Sequence, residues 1–324
     1  MTTVLDVRNL EVGFAGGTQA VRGISFALER GKTHCLVGES GCGKSATSLA
    51  VMGLLGDSAR VRAETIDFDG QNLTRIPDRR MAALRGDRLA MIFQEPMTSL
   101  NPAYTIGSQM TEVYRRHRRA SAVAAQERAA GLLARVGISN ADMRLRQYPH
   151  ELSGGLRQRV MIAMALMCEP DVLIADEPTT ALDVTVQAQI LRLLKSLQEE
   201  TGLAMLLITH DLGVVARMAD QVSVMYAGRI VESGSAKAIF GDPRHPYTRN
   251  LLKCIPSLDS TGARLATIPG VVPQIGADFR GCAFRDRCTE ATPACALPVP
   301  VHDFGAGHRC ECTLYAPIPA GATA

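Results

Sequence analysis

The stretch GESGCGKS, residues 38–45, fits G-x-x-x-x-G-K-[ST] and limits what this chain can fold into more than any other segment. It follows the short apolar run THCLVG (33–38), which reads as a strand, and leads into KSATSLAVMGLL (44–55), which reads as a helix. That context separates a phosphate-binding loop from a chance match. Gly38, Gly41 and Gly43 permit backbone angles and close approaches that side chains would block, so consecutive N–H groups can surround phosphate oxygens. The binding set is then Gly38, Ser40, Gly41, Cys42, Gly43, Lys44, Ser45 and Ala46. Lys44 supplies a positive charge for the β- and γ-phosphates, and the Ser45 hydroxyl can ligate Mg²⁺. The helix start adds the equivalent of about half a positive charge at the same spot. A merely structural glycine-rich turn is a weak competitor.

Two further segments suit the same chemistry. Roughly 130 residues later, DVLIADEP is an apolar strand ending in two carboxylates. Asp176 is placed to hold Mg²⁺ through its water shell, and Glu177 to polarise an attacking water. For an isolated Asp-Glu pair a helix cap or solvated turn is the better reading, but a phosphate-binding loop in the same chain takes most of its weight away. In LSGGLRQRV (152–160), Ser153 can cap a helix while Gly154 and Gly155 leave backbone N–H groups exposed ahead of it. One loop already covers one nucleotide's phosphates. A second anion-binding terminus therefore suggests contact with a nucleotide held by another subunit.

The runs RLAMIF (88–93), DVLIAD (171–176), LAMLLITH (203–210) and QVSVMYAG (221–228) also read as strands, several without alternation, as in a sheet buried on both faces. Helical patterns at 156–167 and 185–200 lie between them, giving an α/β core around a largely parallel sheet. From about 95 to 153 the chain is rich in Ala and Arg with helical patterning and no convincing strand, a helical insertion. After about 235, Pro- and Gly-rich segments such as GDPRHPYT and IPGVVPQIG point to loops. No apolar run approaches the roughly 18–20 residues of a membrane span, and the N-terminus lacks a signal pattern, so a cytosolic chain is expected. A formal charge of +3 does not argue for nucleic acid, and RRHRR (115–119) reads as a solvated helix face. Nine cysteines in a reducing compartment point to free thiols or a metal site. Cys35, Cys42, Cys168 and Cys254 are scattered and read as buried or incidental thiols.

GESGCGKS, Gln94 in IFQEP, LSGGLRQR, LIADEPTTALD and His210 in ITHD occur in the order and spacing of ABC-transporter ATP-binding cassettes, which residues 4–235 resemble. The resemblance implies a P-loop cassette with a RecA-like core and with antiparallel β and helical subdomains, occupying 1–235 with its helical part at about 95–158. It further implies that two cassettes sandwich two ATP molecules, each between one P-loop and the other cassette's signature segment Ser153, Gly154 and Gly155. On this chain Gln94 would sense the γ-phosphate, take part in the Mg²⁺ site and sense the transmembrane partner. Glu177 would be the catalytic base and His210 a γ-phosphate contact. Asp183 would sit at the dimer interface. Phe14 takes the place of an adenine-stacking aromatic, with a core phenylalanine as the alternative.

EPMTSLNP (95–102), DEPTTALDVTVQAQIL (176–191), MYAGRIVESG (225–234), RHPYTRNLL (244–252) and IPGVVP (268–273) extend the resemblance to the ATPase subunits of bacterial dipeptide and oligopeptide importers. That group implies two polytopic permease subunits, a second and different cassette, and an extracytoplasmic substrate-binding protein reached through the complex. It places the chain peripherally on the cytoplasmic face of the inner membrane. It also implies a four-cysteine [4Fe–4S] site in a small, loop-rich extension, 236–324. The spacing is Cys282-x₅-Cys288-x₆-Cys295, then x₁₄ to Cys310 or x₁₆ to Cys312. Zinc knuckles with C-x₂₋₄-C pairs are absent, which makes zinc the second choice, and thiolates are the expected ligands of the cluster. Either Cys310 or Cys312 completes four; by resemblance, HRCECTLY favours Cys312. The competing class is a soluble ABC ATPase of translation, repair or iron–sulfur assembly. Translation types usually carry two cassettes, and repair types a long coiled coil between P-loop and signature.

Overall fold

A computed structural model describes residues 2–95, 99–179, 182–254, 267–271, 273 and 279–315. Its centre is the sheet that the non-alternating runs require. β3 (Thr33–Val37), β8 (Val172–Asp176) and β9 (Ala204–Thr209) are buried at every residue. With β7 (Leu89–Ile92) and β10 (Gln221–Tyr226) they form a parallel array in the order β10-β3-β9-β8-β7. Successive residues on a strand face opposite sides, so Leu36, Ile174 and Leu206 enter one core while Cys35, Leu173 and Leu207 enter another.

The first core is closed by an antiparallel sheet. β1 (Thr3–Phe14) pairs with β2 (Gln19–Glu29), β4 (Ala59–Arg62) and β5 (Thr65–Phe68), and β6 (Gln71–Asn72) follows β5. Leu5, Val7, Leu10 and Val12 of β1 bury against the central sheet and against Ala50 and Val51 of α1 (Lys44–Val51). The residues alone pointed to the parallel strands; this second sheet followed from the resemblance.

The second core is closed by helices. α3 (Ile106–Arg118), α4 (Ala122–Arg135) and α5 (Ala141–Leu145) form the insertion, preceded by the short α2 (Asp78–Leu84). Thr105 and Ser121 cap α3 and α4 by accepting from the N–H groups of Ser108 and Ala124. Their apolar faces, Ile106 and Met110 with Ala129, Leu132 and Leu133, share one core with α6 (Gly154–Ala165) and α7 (Val184–Thr201). The basic run closes α3, where cations suit the carbonyl end of the helix. Arg115, Arg116, Arg118 and Arg119 are exposed, as a solvated face requires, although Arg118 also pairs with Asp87 at 2.7 Å.

The region after 235 departs from the loop expectation. α8 (Leu212–Met218), β10 and β11 (Arg229–Ser235) lead into α9 (Ala236–Gly241) and α10 (Pro246–Lys253). Pro246 stands at the first turn of α10, where its missing N–H costs nothing and its fixed φ suits the helix. Further on, β12 (Val301–Asp303) and β13 (Arg309–Glu311) join the edge of the central sheet, β13 pairing with β11. Glu232 of β11 ties these pieces together. Its buried carboxylate accepts from the N–H groups of Arg244 and His245 at 2.7 and 2.9 Å, and lies 2.8 Å from His308 Nε2.

Two buried histidines make stability depend on pH. Burial pushes His34 down to about 4, against the opposing hydrogen bond to the Ala27 carbonyl, and pushes His245 down to about 3, aided by Arg249. An unfolded histidine takes its proton near 6.5, so between 6.5 and about 4 the unfolded chain binds more protons than the folded one. Stability should therefore fall as pH falls through this window, by up to about 1.4 kcal/mol per unit for each histidine. Thermal unfolding midpoints at about pH 7 and pH 5 check it; equal midpoints would contradict it.

Candidate functional site

Sheet register brings the motif residues to one edge. Val37 is level with Thr209, Ile208 with Asp176, and Ala175 with Ile92. The residues just beyond these positions are the phosphate-binding loop, His210, Glu177 and Gln94, all at the carboxyl ends of parallel strands, where open α/β sheets bind ligands. Gly38, Glu39, Ser40, Gln94, Glu177, His210, Leu212 and Leu251 line a cavity of about 360 Å³ there.

The loop has no room for side chains at two points. A Cβ on Gly43 (φ 107°) would lie 2.2 Å from the Ala20 carbonyl oxygen, and one on Gly38 2.2 Å from that of Met225. Gly43 also caps α1 without any side-chain bond, which leaves the first N–H groups of the helix for an anion. Lys44 is buried, its Nζ donating to the carbonyls of Gly38 at 2.8 Å and Glu39 at 3.0 Å. Cys42 is fully buried and Ala46 half-buried, while Ser40 and Gly41 are exposed at the loop tip.

Asp176 accepts from Ser45 Oγ at 3.3 Å and from Ser48 Oγ at 3.2 Å. Burial pushes its carboxyl above the ordinary range, opposed by those hydroxyls. Hard oxygen donors thus meet at the helix start, a fit for Mg²⁺, which takes one or two carboxylates together with substrate phosphates. Glu177 adopts a left-handed conformation (φ 46°), with its N–H on the Ile208 carbonyl at 2.9 Å. Gln94 Nε2 donates to its Oε2 at 3.0 Å, and His210 Nδ1 lies 3.3 Å from its Oε1.

Not every expected residue joins this cluster. Gly41, Cys42, Gly43, Lys44, Ser45, Ala46 and Asp176 do not line the cavity, although Lys44 bonds the lining residues Gly38 and Glu39, and Ser153, Gly154, Gly155, Asp183 and Phe14 do not line it either. Ser153 caps α6 through the Leu156 N–H and is exposed, as is Gly154. Asp183 caps α7, accepting from Thr185 and Val186. Phe14 is half-buried against the antiparallel sheet's core.

Residues that the sequence reading missed reach the loop from the tail. The Glu39 N–H donates to Tyr247 Oη at 3.0 Å, and the Glu39 carboxylate takes a two-pronged contact from Arg287, at 2.7 and 3.0 Å. The Arg287 contact spans 248 positions, so no local pattern carries it.

The cysteine loop is also compact. Cys282 N–H donates to the Cys295 carbonyl at 2.8 Å, and Cys295 Sγ lies 3.2 Å from Thr313 Oγ1. Burial pushes Cys282 up to about 11, and negative charge on Cys295, Cys312 and Cys288 adds to the rise. A hydrogen bond from Cys310 brings Cys312 down to about 7. Among the described residues no group of three or more His, Cys, Asp or Glu side chains is placed to share one metal ion. Cys35, Cys42 and Cys168 are buried, in keeping with inert thiols.

A phosphate-binding loop, a strand-end Asp-Glu pair and an inserted strand between them define an ATP-hydrolysing P-loop cassette. The family described as "ABC transporter" matches residues 21–180, and the one described as "Oligopeptide/dipeptide transporter, C-terminal region" matches 231–295. The dipeptide transport ATP-binding protein DppD of Bacillus subtilis is 53% identical over 97% of this chain and 95% of its own. The oligopeptide transport ATP-binding protein OppD of Salmonella typhimurium is 47% identical over 95% and 93%. Among solved structures, cbiO1 of Clostridium perfringens, part of an ABC transporter complex, superposes with a TM-score of 0.62 at 28% identity, over 75% of this chain and 92% of that one. The chain belongs to the ATP-binding subunits of ABC transporters, in the oligopeptide and dipeptide group, and hydrolyses ATP to power transport.

Proposed function

We propose that this chain energises an importer of dipeptides or oligopeptides, working on the cytoplasmic face of the inner membrane with two permease subunits, an extracytoplasmic binding protein and a second, different cassette. The observation that carries the cargo class is the tail, whose match over 231–295 is to the peptide-transporter C-terminal region. Among the described residues no helix is long and apolar enough to cross a membrane, so separate subunits would form the pore.

In the reaction, the N–H groups of the loop and Lys44 bind the β- and γ-phosphates. Ser45 and Asp176, with Gln94, would hold Mg²⁺, which neutralises charge on the phosphates when bound. Glu177 takes the proton of the attacking water, kept in place by Gln94 and His210. The Ser153–Gly155 segment, with Ser153 and Gly154 exposed and outside this chain's own cavity, fits a role on a partner cassette's nucleotide, and the exposed Asp183 and Val184 fit a surface between cassettes. Phe14 would stack on the adenine. We divide the chain at residue 235, just where β11 ends, into cassette and extension.

The extension would carry a [4Fe–4S] cluster on Cys282, Cys288, Cys295 and Cys312. Support comes from the electrostatic coupling of Cys282 and Cys288 to Cys295 and Cys312, whose negative charge disfavours their ionisation and which a bound cation would relieve, whereas Cys310 interacts with Cys312 and Glu232. A cluster spreads its thiolates over four irons. The cluster's role would be structural, linking segments poor in apolar residues. Anaerobic purification from detergent-solubilised membranes tests the whole reading. Two polytopic proteins, a second cassette and about four irons per chain are expected, with Cys288→Ser losing the iron while ATP binding persists. A soluble complex without membrane subunits would overturn the importer, and full iron retention in Cys288→Ser the cluster.

A further inference from the structure

Glu39 is the second residue of the phosphate-binding loop and lines the nucleotide cavity, yet its carboxylate has the same sign as the triphosphate that the cavity is to receive. Three contacts fix the residue. Its N–H bonds Tyr247, its carbonyl accepts from Lys44, and its carboxylate is held by both terminal nitrogens of Arg287.

Arg287 is built for this contact. It stands between Cys282 and Cys288 and is buried, with 5% of its side chain exposed. Nε donates to the Pro269 carbonyl at 3.0 Å, Nη1 also reaches Tyr226 Oη at 3.3 Å, and Nη2 also reaches the Ile268 carbonyl at 3.2 Å. Together with the Glu39 oxygens these occupy the full donor set of a guanidinium. A fork of this kind fixes direction as well as charge.

We propose that Arg287 is a positioning residue of the ATPase: it holds Glu39, and through it the start of the phosphate-binding loop, and it neutralises a carboxylate that would otherwise repel ATP. The tail is thereby part of the nucleotide site rather than an appendage. This rests on the reading of the cavity as the ATP phosphate site.

The test is the ATP dependence of hydrolysis by the assembled transporter. Arg287→Ala leaves Glu39 charged and unpaired beside the phosphates, so KM for ATP should rise about tenfold, as for loss of a charged hydrogen bond, with kcat changed less than about twofold. Glu39→Gln removes the repelling charge, so the double variant Arg287→Ala/Glu39→Gln should return to within about threefold of the wild-type KM. A merely structural arginine predicts the opposite, since the double variant would be no better than the single. That outcome, or a wild-type KM in Arg287→Ala, overturns the proposal. If Arg287→Ala does not assemble, Arg287→Gln with and without Glu39→Gln makes the same comparison. Lys44→Ala separates the two failures. If it binds ATP normally, the site reading itself falls; if it does not bind ATP and Arg287→Ala behaves as wild type, only the present inference falls.

Discussion

Glu177→Gln should lower steady-state ATP hydrolysis about 10²–10⁴-fold, the range for loss of a general base, while ATP binding persists. The amide has the carboxylate's shape but cannot take a proton from water. Its oxygen can still accept from Gln94 or His210, which hold Glu177 at 3.0 and 3.3 Å, and the backbone that places it, with φ 46° and an N–H on Ile208, is untouched. Binding and cassette pairing therefore proceed and the cycle stops before cleavage. An ATP-dependent rise in the size of the complex, with turnover suppressed, is the expected pair of readings. Near-wild-type turnover would remove Glu177 from the role of base.

Lys44→Ala should fail one step earlier. The ammonium is buried and bridges the Gly38 and Glu39 carbonyls, which holds it at the start of the loop. Truncation removes a desolvated charge from the anion's side and leaves two loop carbonyls without that donor. Losses of this type run to about 2–5 kcal/mol, which corresponds to an ATP affinity lower by roughly 30-fold to 4,000-fold. Titration with a fluorescent ATP analogue reads it directly, and ATP should no longer raise the melting temperature. Affinity within about threefold of wild type would refute the assignment. Taken together, the two variants separate binding from bond cleavage at residues that follow β3 and β8, with β9 between them.

The grouping of these residues at one edge of the sheet was legible because each part is local. A strand, a turn and a helix start are continuous in sequence around GESGCGKS, and Asp176 and Glu177 end one apolar run. Sheet register then does the assembling, and register is not written in any single segment. The helices after residue 235 were hidden by their prolines: Pro246 reads as a breaker, yet at a first turn it starts a helix. β12 and β13 were hidden by brevity, each being three residues with a partner far away or across a tight loop. Arg287 and Tyr247 were missed because they meet Glu39 across more than 200 positions, and such a contact has no periodicity to find.

The pairing of β13 with β11 also sets an order of events during synthesis. When residues 229–235 leave the ribosome, the outer edge of β11 has no neighbour, and its partner Arg309–Glu311 is made more than seventy residues later. Until then the nascent sheet presents unpaired N–H and C=O groups of the kind that recruit strands from other chains. Synthesis proceeds at about 5–20 residues per second, so this edge stays bare for several seconds on each molecule. A slow stretch of translation across this interval would lengthen the exposure, and a chaperone that shields strand edges would matter most there.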